Sequence, residues 1–187
     1  EGGTAGALVS AASSLSLQRS SLVGSGTAAA AQLFGNAELS AQDSSIVGAS
    51  DGLRVLADAA FTGPAKVTLA GATVEGQDGS AIVVGNALIG PAKAEIIVAD
   101  GSSLVASNGI LLDVVGGSEA TMTVDNSHLM GDVRVEAGST ASLTLDNQAS
   151  LSGRLQNVAG LTLNNQARWN MVEDSQVGSL ALNGGVV

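Results

Sequence analysis

An apolar–x–apolar tripeptide returns eight times along this chain, and that recurrence restricts the fold more than any other feature. The copies begin at Leu15, Leu39, Val67, Ile96, Met122, Leu143, Leu161 and Leu180. Successive starts lie 24, 28, 29, 26, 21, 18 and 19 residues apart. Alternation with period two marks a strand with one buried face. An irregular period in the twenties matches one turn of a β-solenoid, where loops vary in length and the coil does not.

Two further columns support the repeat. Two positions beyond each tripeptide stand Arg19, Asp43, Gly71, Asp100, Asn126, Asn147, Asn165 and Gly184. All but Arg19 belong to the residue types that tolerate left-handed backbone angles. Later in each copy, after a small-residue stretch, a glycine opens a second apolar run. It does so in Asp51-Gly52-Leu53, Asp78-Gly79, Asn108-Gly109-Ile110, Gly131-Asp132-Val133 and Gly153-Arg154-Leu155. Asx-Gly elsewhere signals a hairpin. Recurring in constant order, it is expected here to turn a corner between two walls.

Residues 57–66 and 85–93 both end in Gly-Pro-Ala-Lys and hold both prolines, Pro64 and Pro91. Proline cannot donate to a ladder, so both segments are expected to protrude as loops. The expected fold is all-β, a right-handed parallel β-helix of seven to eight rungs. Residues 1–14 would be a frayed or partial rung, 15–142 rungs with variable loops, and 143–187 compact rungs. One rung cannot bury its own aliphatic face, so stability must come from stacking at about 4.8 Å per rung. A bare terminal rung would template aggregation, and both ends are expected to be covered by further segments.

Composition narrows the partners. Seven basic against 17 acidic residues give a net charge of −10, which disfavours nucleic acid and anionic membrane. With 45% hydrophobic and 13% charged residues, the chain is not an acidic disordered tail. No run is long and apolar enough for a membrane helix, so direct membrane insertion of this segment is not expected. Cysteine is absent, so neither disulfides nor thiolate metal sites arise. Residue 1 is Glu with no signal-like segment after it, and any export signal is expected to be removed or to lie elsewhere.

The C-terminal residues carry a resemblance. Leu161-Thr162-Leu163-Asn164-Asn165, Trp169-Asn170-Met171, Asp174-Ser175, Val177-Gly178, Leu180-Ala181-Leu182 and Gly184-Gly185 resemble the last rungs of pertactin-like autotransporter passenger domains. That resemblance implies a segment exported to the surface of a Gram-negative bacterium through an outer-membrane β-barrel on the same chain. It also implies an autochaperone role, with Leu161, Leu163, Trp169, Met171, Ser175, Val177, Leu180 and Leu182 as a folding signature. Such passengers are often adhesins, so the implied partner is a host-cell or matrix component, or a neighbouring passenger. Pertactin's Arg-Gly-Asp motif has no counterpart, because Met130 precedes Gly131-Asp132.

Several positions invite chemistry and have a plainer reading. Gly48-Ala49-Ser50-Asp51-Gly52 fits the nucleophile-elbow pattern, but that motif needs a strand–turn–helix setting and a histidine partner. The sole histidine, His128, is some three rungs away and reads as a solvent-facing position. Asp125 and Asp146 share a column in adjacent rungs, where they would hold a cation, act as an acid/base pair, or simply be solvated. Asn126, Asn147 and Asn165 are expected to stack as an amide ladder. Trp169 is either an outward anchor or a core filler. Leu112-Asp113-Val114, an adhesion-like tripeptide, falls in an expected strand. No catalytic residue, cofactor or metal is assigned. The expected function is a non-enzymatic adhesin or stalk using the two loops or one flat wall. The alternative is a polysaccharide-degrading enzyme, or a scaffold for an enzyme domain elsewhere.

Overall fold

Leu15, Leu39, Val67, Ile96, Met122, Leu143, Leu161 and Leu180 pair in one continuous parallel register. The computed structural model describes residues 4–187. Strands β2 (Ser14–Gln18), β5 (Glu38–Gln42), β8 (Ala65–Ala70), β11 (Lys93–Ala99), β14 (Glu119–Asp125), β17 (Thr140–Asp146), β20 (Gly160–Asn164) and β22 (Leu180–Asn183) form this eight-stranded wall. The expected tripeptide copies are its rungs, and the fold is a parallel β-solenoid.

A second, seven-stranded wall follows the glycine corners. It contains β1 (Ala7–Val9), β4 (Ala31–Phe34), β7 (Leu53–Leu56), β10 (Ile82–Val84), β13 (Ile110–Val114), β16 (Asp132–Val135) and β19 (Leu155–Gln156), all parallel. Within residues 1–14, expected as a frayed or partial rung, the described residues include one short strand. Ala7–Val9 pairs with Ala31–Leu33, because Val9 adds its side chain to the core. Residues 1–3 of that expected partial rung lie outside the described residues.

The small-residue stretches form a third wall that period-two alternation does not reveal. It is split into two sheets, one of β3 (Ser21–Gly24), β6 (Ser45–Gly48), β9 (Thr73–Gly76) and β12 (Ser103–Ala106), the other of β15 (His128–Met130), β18 (Ser150–Ser152) and β21 (Arg168–Asn170). Each strand offers the interior one large side chain, among them Ile46, Val74, Leu104, Leu129, Leu151 and Trp169.

All eight residues of the turn column have positive φ, from 43° at Asn126 to 84° at Gly184. The left-handed angle costs an ordinary side chain about 1–2 kcal/mol, which is why Asn, Asp and Gly collect there. Next to this column the chain turns inward through Ser44, Ser102 and Ser127, all buried. Their hydroxyls are satisfied within the stack. Ser44 Oγ donates to Gln42 O and accepts from Ser20 N. Ser102 Oγ accepts from Ala72 N, and Ser127 Oγ from Gly101 N.

The proline segments are shorter loops than expected. Residues 57–64 and 85–92 lie outside the walls, but Ala65, Lys66 and Lys93 belong to β8 and β11. Ala65 is fully buried and pairs with Ala94, so apolar burial draws the end of each Gly-Pro-Ala-Lys into the ladder.

Candidate functional site

The two proline loops leave the solenoid at the same corner in consecutive rungs, between β7 and β8 and between β10 and β11. In the first loop, Asp58 Oδ1 accepts from the amides of Ala60 (2.8 Å) and Phe61 (3.1 Å). That Asx turn holds Phe61 in a position where the residue is 43% exposed. The loop lies down on Gly35 (φ +54°), where an added Cβ would stand 2.6 Å from Phe61 O.

The second loop is tied at both ends. Gly85 donates to Val55 O (2.8 Å), and Ala92 donates to the buried Ser118 Oγ (2.9 Å). Its tip closes on Asn86, whose Oδ1 accepts from Leu88 N and whose carbonyl accepts from Gly90 N. This closure leaves Leu88 95% and Ile89 55% exposed.

A cavity of about 300 Å³ opens between the loops, lined among others by Leu56, Asp58, Phe61, Pro91, Lys93 and Glu119. Its walls are largely apolar, and its charged groups are two carboxylates and one ammonium. Lys93 Nζ lies 3.0 Å from Glu119. This ion pair borders a second depression of about 260 Å³, lined by Pro64, Glu95, Thr121, Thr140 and Ser142. Repeat-based reasoning could place both loops on the surface. The contact of Phe61 with Gly35, which makes the cleft, has no signal in the repeat.

The remaining candidates have other settings. Asp125 and Asp146 do face each other in register, but each accepts from an asparagine one rung on. Asn147 Nδ2 donates to Asp125 Oδ1 (3.0 Å), and Asn165 Nδ2 to Asp146 Oδ1 (2.7 Å). The expected Asn126–Asn147–Asn165 amide ladder is therefore corrected to a carboxylate–amide ladder, since an ionised acceptor makes the stronger bond. An amide-to-amide bond does occur, from Asn183 Nδ2 to Asn164 Oδ1, in the neighbouring column. No group of three or more His, Asp or Glu side chains converges among the described residues.

Ser50 occupies a corner rather than a strand–turn–helix elbow, and the described residues include no helix. Its buried Oγ has no hydrogen-bond partner among them. Asp51 beside it is buried, accepting from Ser80 N and pairing with Arg54. His128 is exposed on β15, with Nδ1 2.9 Å from Ser150 Oγ. Asp113 of the adhesion-like tripeptide is buried, not displayed. Arg134 grips it through two bonds, 2.9 and 2.6 Å. The hydrogen bond to Asp113 raises the Arg134 guanidinium above the ordinary arginine value, against an opposing desolvation. Both ion-paired aspartates were missed by a reading based on residue spacing alone.

The C-terminal signature divides by depth. Leu161, Leu163 and Trp169 are buried, and Trp169 Nε1 donates to Gly153 O (3.0 Å), so Trp169 is a core filler. Ser175 Oγ accepts from Leu155 N, while Val177 bridges to Val158 and packs on the core. Met171, Leu180 and Leu182 are exposed at 55%, 47% and 52%.

Comparison of the chain with family models, with curated proteins and with solved structures returned no match. The fold stands on the strand pairing, and the passenger resemblance on the motif residues alone.

Proposed function

We propose that this chain is a segment of a bacterial surface-displayed passenger that acts as an adhesin. It engages a host-cell or matrix component through the cleft between residues 57–64 and 85–92. The observation that carries this reading is the cleft itself, set at a corner where two consecutive rungs both send out tethered loops. Loops held by a rigid scaffold are a common seat of binding. The C-terminal resemblance supports the passenger assignment, with export through an outer-membrane β-barrel and the last rungs nucleating folding.

Microspheres coated with the chain, applied to epithelial monolayers and to immobilised fibronectin, laminin and collagen, test the reading. Adhesion is expected, and it should fall to background when residues 58–63 are replaced by a short Gly-Ser turn with the β-sheet circular dichroism retained. Equal adhesion by that variant would sink the cleft as the binding site. Asp58, Lys93 and Glu119 at one cleft are also what a polysaccharide hydrolase would use, so cleavage of a polysaccharide by the chain would favour the enzyme alternative. Asp58 Oδ1 already holds its own loop and Glu119 already pairs with Lys93, which favours binding.

A further inference from the structure

We infer that the cleft seats one bulky aliphatic or aromatic side chain from a basic segment of a partner polypeptide. This rests on the binding role proposed above and names the partner's chemistry. Three observations favour it. The cavity, about 300 Å³, is at the small end of ligand sites, which run from about 300 to 1,000 Å³, and has ample room for one large side chain. Its lining sets apolar Leu56, Phe61, Pro91 and Ala92 beside Asp58, Thr62, Lys93 and Glu119. Saccharide recognition needs several free polar groups converging on ring hydroxyls, whereas Asp58 Oδ1 is already held by its own loop amides and Glu119 by Lys93.

Outside the cavity lining, the second loop also exposes Leu88 and Ile89 at its tip. Large apolar side chains held out on a tied turn fit a protein surface better than water.

Charge selects the flanks. Lys93 is neutralised by Glu119 at 3.0 Å, which leaves the Asp58 carboxylate in surplus at the cleft. The chain as a whole carries −10. Acidic surroundings of this kind draw in and orient a lysine- or arginine-bearing segment, and they repel an acidic one.

Fluorescence polarisation with short labelled synthetic peptides tests this on the 187-residue chain. The reference peptide has a central Leu or Phe between lysines in a Gly/Ser background. It is expected to bind saturably. The central Ala peptide should bind roughly 10-fold or more weakly, the discrimination an apolar pocket gives for missing methylenes. Glu-flanked peptides should not bind. Phe61→Ala should abolish binding with circular dichroism unchanged, because the ring is outside the core. Asp58→Asn keeps the oxygen that caps the turn and should weaken only the lysine preference.

Absence of saturable binding, or binding unaffected by Phe61→Ala, would overturn the inference. So would Phe61-dependent binding of neutral oligosaccharides in place of the peptides. If microsphere adhesion still depends on the loop in those cases, the adhesin reading survives and only the partner's class is wrong. If peptides bind while adhesion ignores the loop, the inference stands and the adhesin assignment falls.

Discussion

Asn165 reaches back one rung to place its side-chain amide 2.7 Å from the carboxylate of Asp146. The same residue holds φ at +45°, so it serves the corner twice, through its backbone and through its side chain. Substitution can separate the two. Asn165→Gly keeps the left-handed angle and loses the bond, which should destabilise by about 0.5–1.5 kcal/mol. Asn165→Ala loses both and should cost roughly 1.5–3.5 kcal/mol. Urea denaturation midpoints at unchanged slope would show the order, and equal losses would mean the left-handed angle costs alanine nothing at this corner, whereas no loss in Asn165→Gly would mean the side-chain bond contributes nothing.

Arg134→Ala would strand the Asp113 carboxylate, which is buried with its partner half exposed. Breaking a wholly buried pair costs about 3–5 kcal/mol, and the solvent around Arg134 should reduce this to roughly 2–3 kcal/mol. Asp113→Asn placed on top of Arg134→Ala should recover part of the loss, because it removes the unpaired charge. A double-mutant cycle by chemical denaturation is the measurement. Additive losses would show that the pair is not coupled.

The Gly48–Gly52 motif is expected to behave as a corner in every respect. A Cβ on Gly48 would run into the Asp51 carbonyl, so Gly48→Ala should destabilise by about 1–3 kcal/mol or more. Ser50→Ala removes a buried hydroxyl that lacks a partner among the described residues, and it should be neutral or stabilising by up to about 1 kcal/mol. Thermal melts of both variants decide, and a marked loss of stability in Ser50→Ala would reveal a partner for that hydroxyl.

Trp169→Ala should cost about 3–5 kcal/mol, since the ring is 5% exposed and bonded to Gly153 O. Stability alone does not test nucleation. Leu161 is 1% exposed while Leu17 is only part-buried, so Leu161→Asp must be the worse change at equilibrium. The C-terminal nucleus predicts that Leu161→Asp and Trp169→Ala slow the refolding arm of the chevron, whereas Leu17→Asp mainly speeds unfolding. Equal slowing of refolding by all three would remove the nucleus.

How far the residues announce the structure depends on how many of them repeat a physical requirement. Leu143-Thr144-Leu145 states its wall outright, because two inward side chains flank an outward one. Asn147 and Asp100 state their corner because few side chains tolerate that backbone. By contrast, Ser45-Ile46-Val47-Gly48 buries Ile46 and Gly48, and a glycine at the second inward position leaves no apolar alternation to read. The ladder partner of Asn165 was hidden for another reason. A column of like residues suggests bonding within the column, whereas the stronger acceptor sits diagonally at Asp146. The cleft was half legible. Pro64 and Pro91 point to loops, but the seating of Phe61 over Gly35 depends on packing between rungs that are distant in sequence.

Among the described residues the strands of each wall pair rung to rung along the coil, and successive rungs are joined covalently through the chain that winds between them. Tension along that axis therefore peels strands apart across their width, a zipper rather than a shear geometry, and loads the rungs in series. Releasing the rung from Leu161 to Leu180, 19 residues long, would free roughly 60–70 Å of chain where stacking had occupied about 4.8 Å. A molecule of this form, pulled by its ends, lengthens by stepwise yielding at modest force. The cleft at one corner stays intact until its own two rungs part.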